Sequence, residues 1–299
     1  MSPDAAALHS IAAQLHLDTE GFQPLRVHDA AVYLLPRSNI VVRLVRATDT
    51  NRERAELALR VTEWLRRHNF PSVRPRYRQP YQAAGTLATL WEYLPQPSTD
   101  PPLSVLARAL GRLLRDLHAL PAPPFRLPTF DPFARLRAAM DGDRVSSVLL
   151  ADDCAFLDAR IVKLEDAFRA LDFPLGIGLI HNDAHIGNLL ASAGSRCGFV
   201  LADWESARWG PREVDLVLEG APGNRFGESA ELRTAFAEAY GYDIAGWVGW
   251  RVLRDARDLH SLAAYLRTAP SQPAAAEELR RRLASLKDTR RAYVWRTVD

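Results

Sequence analysis

The sequence predicts an α+β chain: a small antiparallel-sheet lobe over 1–94, then a larger, mainly helical lobe over 95–299. Three observations lead there. Short strand-like runs rich in Val, Leu and Tyr crowd into the first 94 residues. A polar, proline-rich break (Gln-Pro-Ser-Thr-Asp-Pro-Pro, 96–102) follows them. Beyond it the apolar residues recur mostly at helical spacing, as at Leu106, Leu110, Leu113, Leu114 and Leu117.

The elements follow in order. Ser2-Pro3-Asp4 reads as a hydroxyl cap, a first-turn proline and an acid near the positive end of the dipole, opening a helix to about Leu17. Strands are expected at 23–27, 31–35 and 40–45, the last two joined as a hairpin by Pro36-Arg37-Ser38-Asn39. Thr50-Asn51-Arg52-Glu53 has the pattern of a capping box and opens a helix to about His68. Strand signals return near 74–79 and 86–93. After the break, helices are expected at 104–120 and 152–171, separated by the proline-rich stretch 121–128. Short strands at 178–180, 188–191 and 199–202 flank a dense polar motif. Helices close the chain near 211–219, 228–240, 246–268 and 273–290.

Composition excludes several function classes. The chain has 299 residues, 47% hydrophobic and 25% charged, with a net charge of only +2. No basic run is interleaved with aromatics, so nucleic acid is not an expected partner. No apolar stretch approaches the roughly 20 residues of a membrane span. Asp4 and the absence of early basic residues argue against a secretory signal, so a cytoplasmic location is expected. Cys154 and Cys197 have neither metal nor redox spacing and read as reduced thiols. The only lysines are Lys163 and Lys287. Any phosphate contact in the first half of the chain therefore falls to arginine or backbone amides.

The polar motif is His181-Asn182-Asp183-Ala184-His185-Ile186-Gly187-Asn188, followed by Asp203-Trp204-Glu205. On a strand end His181, Asp183 and His185 alternate onto one side. Asp183 is the candidate to accept or orient a hydroxyl proton. Asn188 and Asp203 offer a neutral and a charged oxygen to magnesium, which takes few protein ligands. Asp203 ends the apolar run Phe199-Val200-Leu201-Ala202, which aims it better than a loop. A zinc site built on the two imidazoles is the main rival, but it leaves Asn188 and Asp203 without a role. No GxSxG elbow occurs, so a serine-hydrolase reading fails.

The chain resembles the aminoglycoside phosphotransferase family, small-molecule kinases that share the protein-kinase fold. His181-x-Asp183-x-x-x-x-Asn188 is similar to the family's catalytic loop, and Asp203-Trp204-Glu205 to its metal-binding segment. Gly210-Pro211-x-Glu213-x-Asp215-Leu216 and Leu113-Leu114-Arg115-Asp116-Leu117-His118 resemble two further landmarks. The resemblance implies Asp183 as catalytic base, His181 as support of its loop, and Asn188 and Asp203 as Mg2+ ligands. It places Arg43 where the family usually carries its phosphate-binding lysine, with Glu56 as its ion-pair partner. Trp91, Glu92, Tyr93 and Leu94 stand at the hinge whose backbone reads the purine. Three departures stand out: arginine at 43, no glycine in the turn 27–31, and Glu205 where protein kinases have glycine.

The implied reaction is Mg-dependent transfer of the terminal phosphoryl group of ATP or GTP to a hydroxyl of a small molecule, by a monomer or homodimer. Across 141–188 nine acids stand against four bases, which suits a cationic acceptor such as an aminoglycoside or other basic antibiotic. The same acids also fit a solvated helix face. Choline, amino-alcohol, sugar and macrolide acceptors remain alternatives, as does a catalytically silent nucleotide-binding protein of the same fold.

Overall fold

The computed structural model describes residues 3–27, 30–142, 145–221, 225, 229–288 and 294–295. The proposed cap Ser2, most of the glycine-free turn and the end of the last expected helix lie outside them. The chain divides into two compact units. One comprises Met1–Pro128 and Leu179–Arg208, the other Thr129–Gly178 and Trp209–Asp299. This division by packing does not coincide with a boundary after Leu94.

In the first unit, α1 (Pro3–Gln14) covers a five-stranded antiparallel sheet of order β1-β2-β3-β5-β4. Its strands are β1 (Gln23–Val27), β2 (Ala31–Leu35), β3 (Ile40–Arg46), β4 (Tyr81–Ala83) and β5 (Thr86–Glu92). Period-two alternation does the sorting on β3: Ile40, Val42 and Leu44 are buried with Leu8 and Ile11 of α1. Arg43 falls on the opposite face with Val41 and Val45. α2 (Asp49–Arg67) follows, and its cap is Thr48, not Thr50: the Thr48 hydroxyl accepts from the Asn51 N–H at 3.2 Å. Beyond 92 the chain has no regular structure until α3 (Leu103–His118), whose apolar stripe is buried as expected.

The strand expected at 74–79 does not form. Pro75 and Pro80 remove two ladder donors, and only an isolated bridge from Pro75 to Trp91 survives before the short β4. α1 stops at Gln14, ahead of His16, which takes a left-handed φ of 53°. β6 (Ile177–Ile180) leads into the polar motif. β7 (Leu189–Ala191) and β8 (Phe199–Leu201) form the expected hairpin, with Leu189 opposite Leu201.

The second unit is mainly helical, joined to the first through β9 (Arg208–Pro211) among other passages of the chain. Its helices are α4 (Ala134–Met140), α5 (Ala151–Arg169), α6 (Val217–Gly220), α7 (Ala230–Tyr240), α8 (Trp250–His260), α9 (Leu262–Thr268) and α10 (Pro273–Lys287). Leu157 and Ile161 of α5 pack with Leu259, Leu262, Leu266 and Leu279 in a single core. The helix expected over 246–268 is broken at Ser261, whose hydroxyl donates to the Asp258 carbonyl at 2.7 Å and accepts from buried Arg282. α4 has only 7 residues, too few turns for a helical period to show.

The described acids of 141–172 are either paired or exposed. Glu165 pairs with Arg137 and Arg169, Asp166 with Arg169, and Asp153 with Lys287. Asp152, Asp158 and Asp172 are not buried, so α5 presents a solvated, largely neutralised face. Among the described residues no helix is long and apolar enough to cross a membrane.

Candidate active site

Every residue of the site proper belongs to the first unit. β6 delivers His181 into the core, where it is fully buried. Its Nε2–H donates to the Ala202 carbonyl at 2.8 Å, which fixes the proton on Nε2. The ring meets the edge of the Trp204 indole at 4.7 Å, and Trp204 meets Phe70 on its other flank at 5.9 Å. Trp204 is itself buried and donates its Nε1–H to the Leu201 carbonyl at 3.0 Å. His181 is thus a wall of the loop, facing away from solvent.

The expected alternation of His181, Asp183 and His185 does not occur. Asn182 adopts φ 65°, which turns the chain out of extended geometry, and its Nδ2 donates to the Ser206 carbonyl at 3.1 Å. His185 caps the short 3-10 turn Ile186–Asn188, its Nδ1 accepting from the Gly187 N–H at 3.1 Å. Among the described residues no three His, Cys, Asp or Glu side chains cluster as a metal site, which disposes of the zinc rival.

The two segments of the motif are laced together. Asn188 donates from Nδ2 to the Asp183 carbonyl at 2.9 Å, orienting its amide, while its own carbonyl accepts from the Ala202 N–H at 2.9 Å. With Leu189 opposite Leu201, Asn188 and Asp203 both flank the open end of the hairpin. Asp203 sits in the left-handed region (φ 65°, ψ 61°) and heads the turn Trp204–Ser206. Asp183 is half-buried and Asp203 exposed.

Arg43 forms an ion pair with Glu205 at 2.6 Å, and Glu56 is exposed and makes no ion pair among the described residues. This corrects the expected partnership of Arg43 with Glu56. The physical reason is the phase of α2: the helix packs on the turn Trp204–Ser206, and it is Arg54, half-buried, that comes under the field of Glu205. Burial pushes the Glu205 carboxyl up to about 8, and Asp203 adds to this by charge and by a side-chain hydrogen bond. Arg43 and Arg54 pull the other way, and burial outweighs them even with Arg43 in contact. Two hydrogen-bonded carboxyls near a carboxamide are a donor set that a divalent cation fits. Asp203, Glu205 and Asn188 would hold it. Glu205 is the residue whose role the sequence left open between metal assistance and capping.

At the hinge the amides are partly committed. The Glu92 N–H donates to the Arg74 carbonyl at 2.9 Å and the Tyr93 N–H to the Asn39 carbonyl at 3.0 Å. The Leu94 carbonyl accepts from Gln96 at 2.8 Å, and the Trp91 indole donates to Thr89 at 2.9 Å. The four residues therefore form a braced strap continuing β5.

A five-stranded antiparallel sheet, followed by a laced Asp/Asn loop and an Asp-x-Glu turn, belongs to the protein-kinase-like α+β class. The chain belongs to the phosphotransferase enzyme family (APH), whose model matches residues 23–256. Enzymes of this kind move a phosphoryl group to a hydroxyl of a small molecule. In fold the chain is similar to a GDP and kanamycin complex of an APH(2") enzyme, at 15% identity and a TM-score of 0.66, covering 94% of this chain and 98% of that one. It is equally similar to a microcompartment-associated aminopropanol kinase, at 18% identity and a TM-score of 0.66, covering 93% and 94%. A choline/ethanolamine kinase family protein from Mesorhizobium loti matches at 19% identity and a TM-score of 0.64, covering 97% and 96%. No curated protein matches the chain by sequence.

Proposed function

We propose that the chain is a magnesium-dependent kinase that transfers the terminal phosphoryl group of ATP or GTP to a hydroxyl of a small amino alcohol or aminoglycoside in the cytoplasm. Residues 1–94 serve the nucleotide, and 95–299 carry the catalytic loop and the acceptor site. The observation that carries the reading is the single network formed by Arg43, Glu205 and Asp203 beside the laced Asp183–Asn188 loop.

The chemistry follows from the residues. Arg43 keeps further N–H donors beyond those facing Glu205, and its fork suits phosphate oxygens. Bound magnesium would neutralise phosphate charge as it develops. Asp183 accepts the acceptor's hydroxyl proton as its oxygen attacks the terminal phosphorus. The bond from that phosphorus to the nucleoside diphosphate oxygen breaks, and the diphosphate leaves with the electron pair. Asn188 and His181 hold Asp183 and Asp203 in register. Trp91, Glu92, Tyr93 and Leu94 line the base, through whatever backbone groups the strap leaves free.

The acids of α5 are paired or solvated, so they do not recommend a cation. What supports an amine-bearing acceptor is that the solved structures of similar fold carry kanamycin or spectinomycin, or are named for aminopropanol or choline/ethanolamine. These molecules share a hydroxyl and an amino or ammonium nitrogen.

Labelled nucleotide offered with kanamycin, spectinomycin, choline, ethanolamine, aminopropanol and neutral sugars tests the acceptor. Transfer confined to amine-bearing acceptors is expected; turnover of neutral sugars alone rules the amine out. Asp183→Ala should still bind nucleotide while kcat falls on the order of 10²-fold or more. Undiminished transfer removes Asp183 from the mechanism.

A further inference from the structure

Away from the transfer residues, the first unit holds a cavity of about 860 Å³. It lies among the end of α2, the 70–74 segment, α3 and the β7–β8 turn. That volume falls within the range of small-molecule pockets, roughly 300–1,000 Å³. None of Arg43, Asp183, Asn188 or Asp203 lines it, while Glu92 and Leu94 of the hinge strap form part of its wall.

The lining is strongly cationic. Arg66, Arg74, Arg112, Arg115 and Arg196 stand there against two carboxylates, Glu92 and Asp116. Arg66 is engaged with Glu63 at 2.9 Å and Arg115 with Asp116 at 3.0 Å. Arg74, Arg112 and Arg196 make no ion pair among the described residues. The whole chain carries a net charge of only +2, so the excess is concentrated here.

These three arginines come from three separate elements: the segment after α2, α3, and the β7–β8 turn. A solvated helix face would draw its charges from one element; convergence from three on a concavity is the arrangement of an anion site. Guanidinium forks grip phosphate oxygens in pairs. Phe70, the aromatic of the lining, is buried against Trp204 and offers no stacking platform. That argues against a single-stranded nucleic acid, which needs exposed rings.

We propose that this cavity binds a small, multiply phosphorylated molecule through Arg74, Arg112 and Arg196, at a site separate from phosphoryl transfer. The inference does not rest on the proposed reaction. Its range of ligands is set by charge spacing and volume, and a triphosphate-sized polyanion fits both.

The cavity carries its own reporter. Cys197 lines it and is half-buried, while the other free cysteine, Cys154, lies in the second unit. The full chain is alkylated with iodoacetamide in magnesium-free buffer while inorganic tripolyphosphate is titrated, and each cysteine is followed by mass spectrometry. Tripolyphosphate is expected to slow modification of Cys197 and not of Cys154. Arg43→Ala should give the same protection curve, which separates this site from the position of the transferred phosphate. Arg112→Glu with Arg196→Glu should weaken the apparent affinity on the order of tenfold or more. Arg112→Gln should act in the same direction, and its milder change guards against misfolding of the double variant. The proposal is overturned by any of four results: no protection up to about 10 mM, protection unchanged in the Arg112 and Arg196 variants, protection lost with Arg43, or citrate protecting as well as tripolyphosphate.

Discussion

Asp203 is held in a backbone conformation that costs an L-residue about 1–2 kcal/mol, at φ 65° and ψ 61°. Asp and Asn tolerate that region because the short polar side chain bonds locally, and here the carboxyl meets Glu205. Glycine would remove the penalty and the carboxyl together. Asp203→Gly is therefore expected to raise stability by about 1 kcal/mol in chemical denaturation while magnesium-dependent transfer is lost. A variant both less stable and inactive would make Asp203 a structural residue. Arg43 and Glu205 provide a second test at this scale. Glu205→Ala should weaken binding of a non-hydrolysable nucleotide on the order of tenfold by releasing Arg43, whereas Glu56→Ala should change it less than about twofold. The reverse ranking, read by calorimetric titration, would restore Glu56. The neighbourhood of Asp183, Asn188 and Asp203 was legible because their spacing is local. The Arg43–Glu205 pair was not, because its partners are 162 positions apart and no periodicity relates them.

At the level of the element, α2 shows what pattern reading reaches. Its existence and span were plain from the sequence, but its cap was expected at Thr50 and falls two residues earlier, at Thr48. Only the extended backbone of Thr48 (φ −130°, ψ 159°) decides between them. Thr48→Ala should cost about 1 kcal/mol and Thr50→Ala much less, measured as denaturant midpoints. The other end of α2 is pH-sensitive. Arg66, with Arg67 behind it, holds the Glu63 carboxyl down to about 2. A folded value below the unfolded one means the contribution is complete above about 4.5 and fades as pH falls through about 2. Since both arginines are well exposed, it amounts to at most about 1 kcal/mol. The stability gap between the native chain and Glu63→Gln should therefore close on acidification from pH 5 to 2; a constant gap would remove the charge from the explanation. The break between α8 and α9 was beyond sequence reading for a different reason. Ser261 is unremarkable in a helical stripe until Arg282, from α10, supplies the bond that holds its hydroxyl.

For the whole molecule, the two packing units each own a core, one around Leu8, Val42 and Leu90, the other around Leu157, Leu259 and Leu279. The first unit is discontinuous: Leu201 exchanges backbone hydrogen bonds with Pro71 and Val73, and α2 rests on the turn Trp204–Ser206. A fragment of residues 1–94 lacks both supports. It should show no cooperative thermal transition by circular dichroism, although the strands it contains are complete. A sharp transition would prove the sheet and α2 self-sufficient. Sheet-first, helix-later order was readable from the local spacing of apolar residues and the break at 96–102; the return of 179–208 to the first unit was not, since chain order carries no record of it. One further consequence follows from Arg43 standing on β3 in that unit. Both lysines, Lys163 and Lys287, fall in the second unit. Nucleotide reagents that acylate a nearby amine have no lysine to capture on the sheet, and profiling of cell extracts by such labelling would pass this enzyme by. A protease that cuts after lysine leaves residues 1–163 in one piece, with Arg43 uncut from α3.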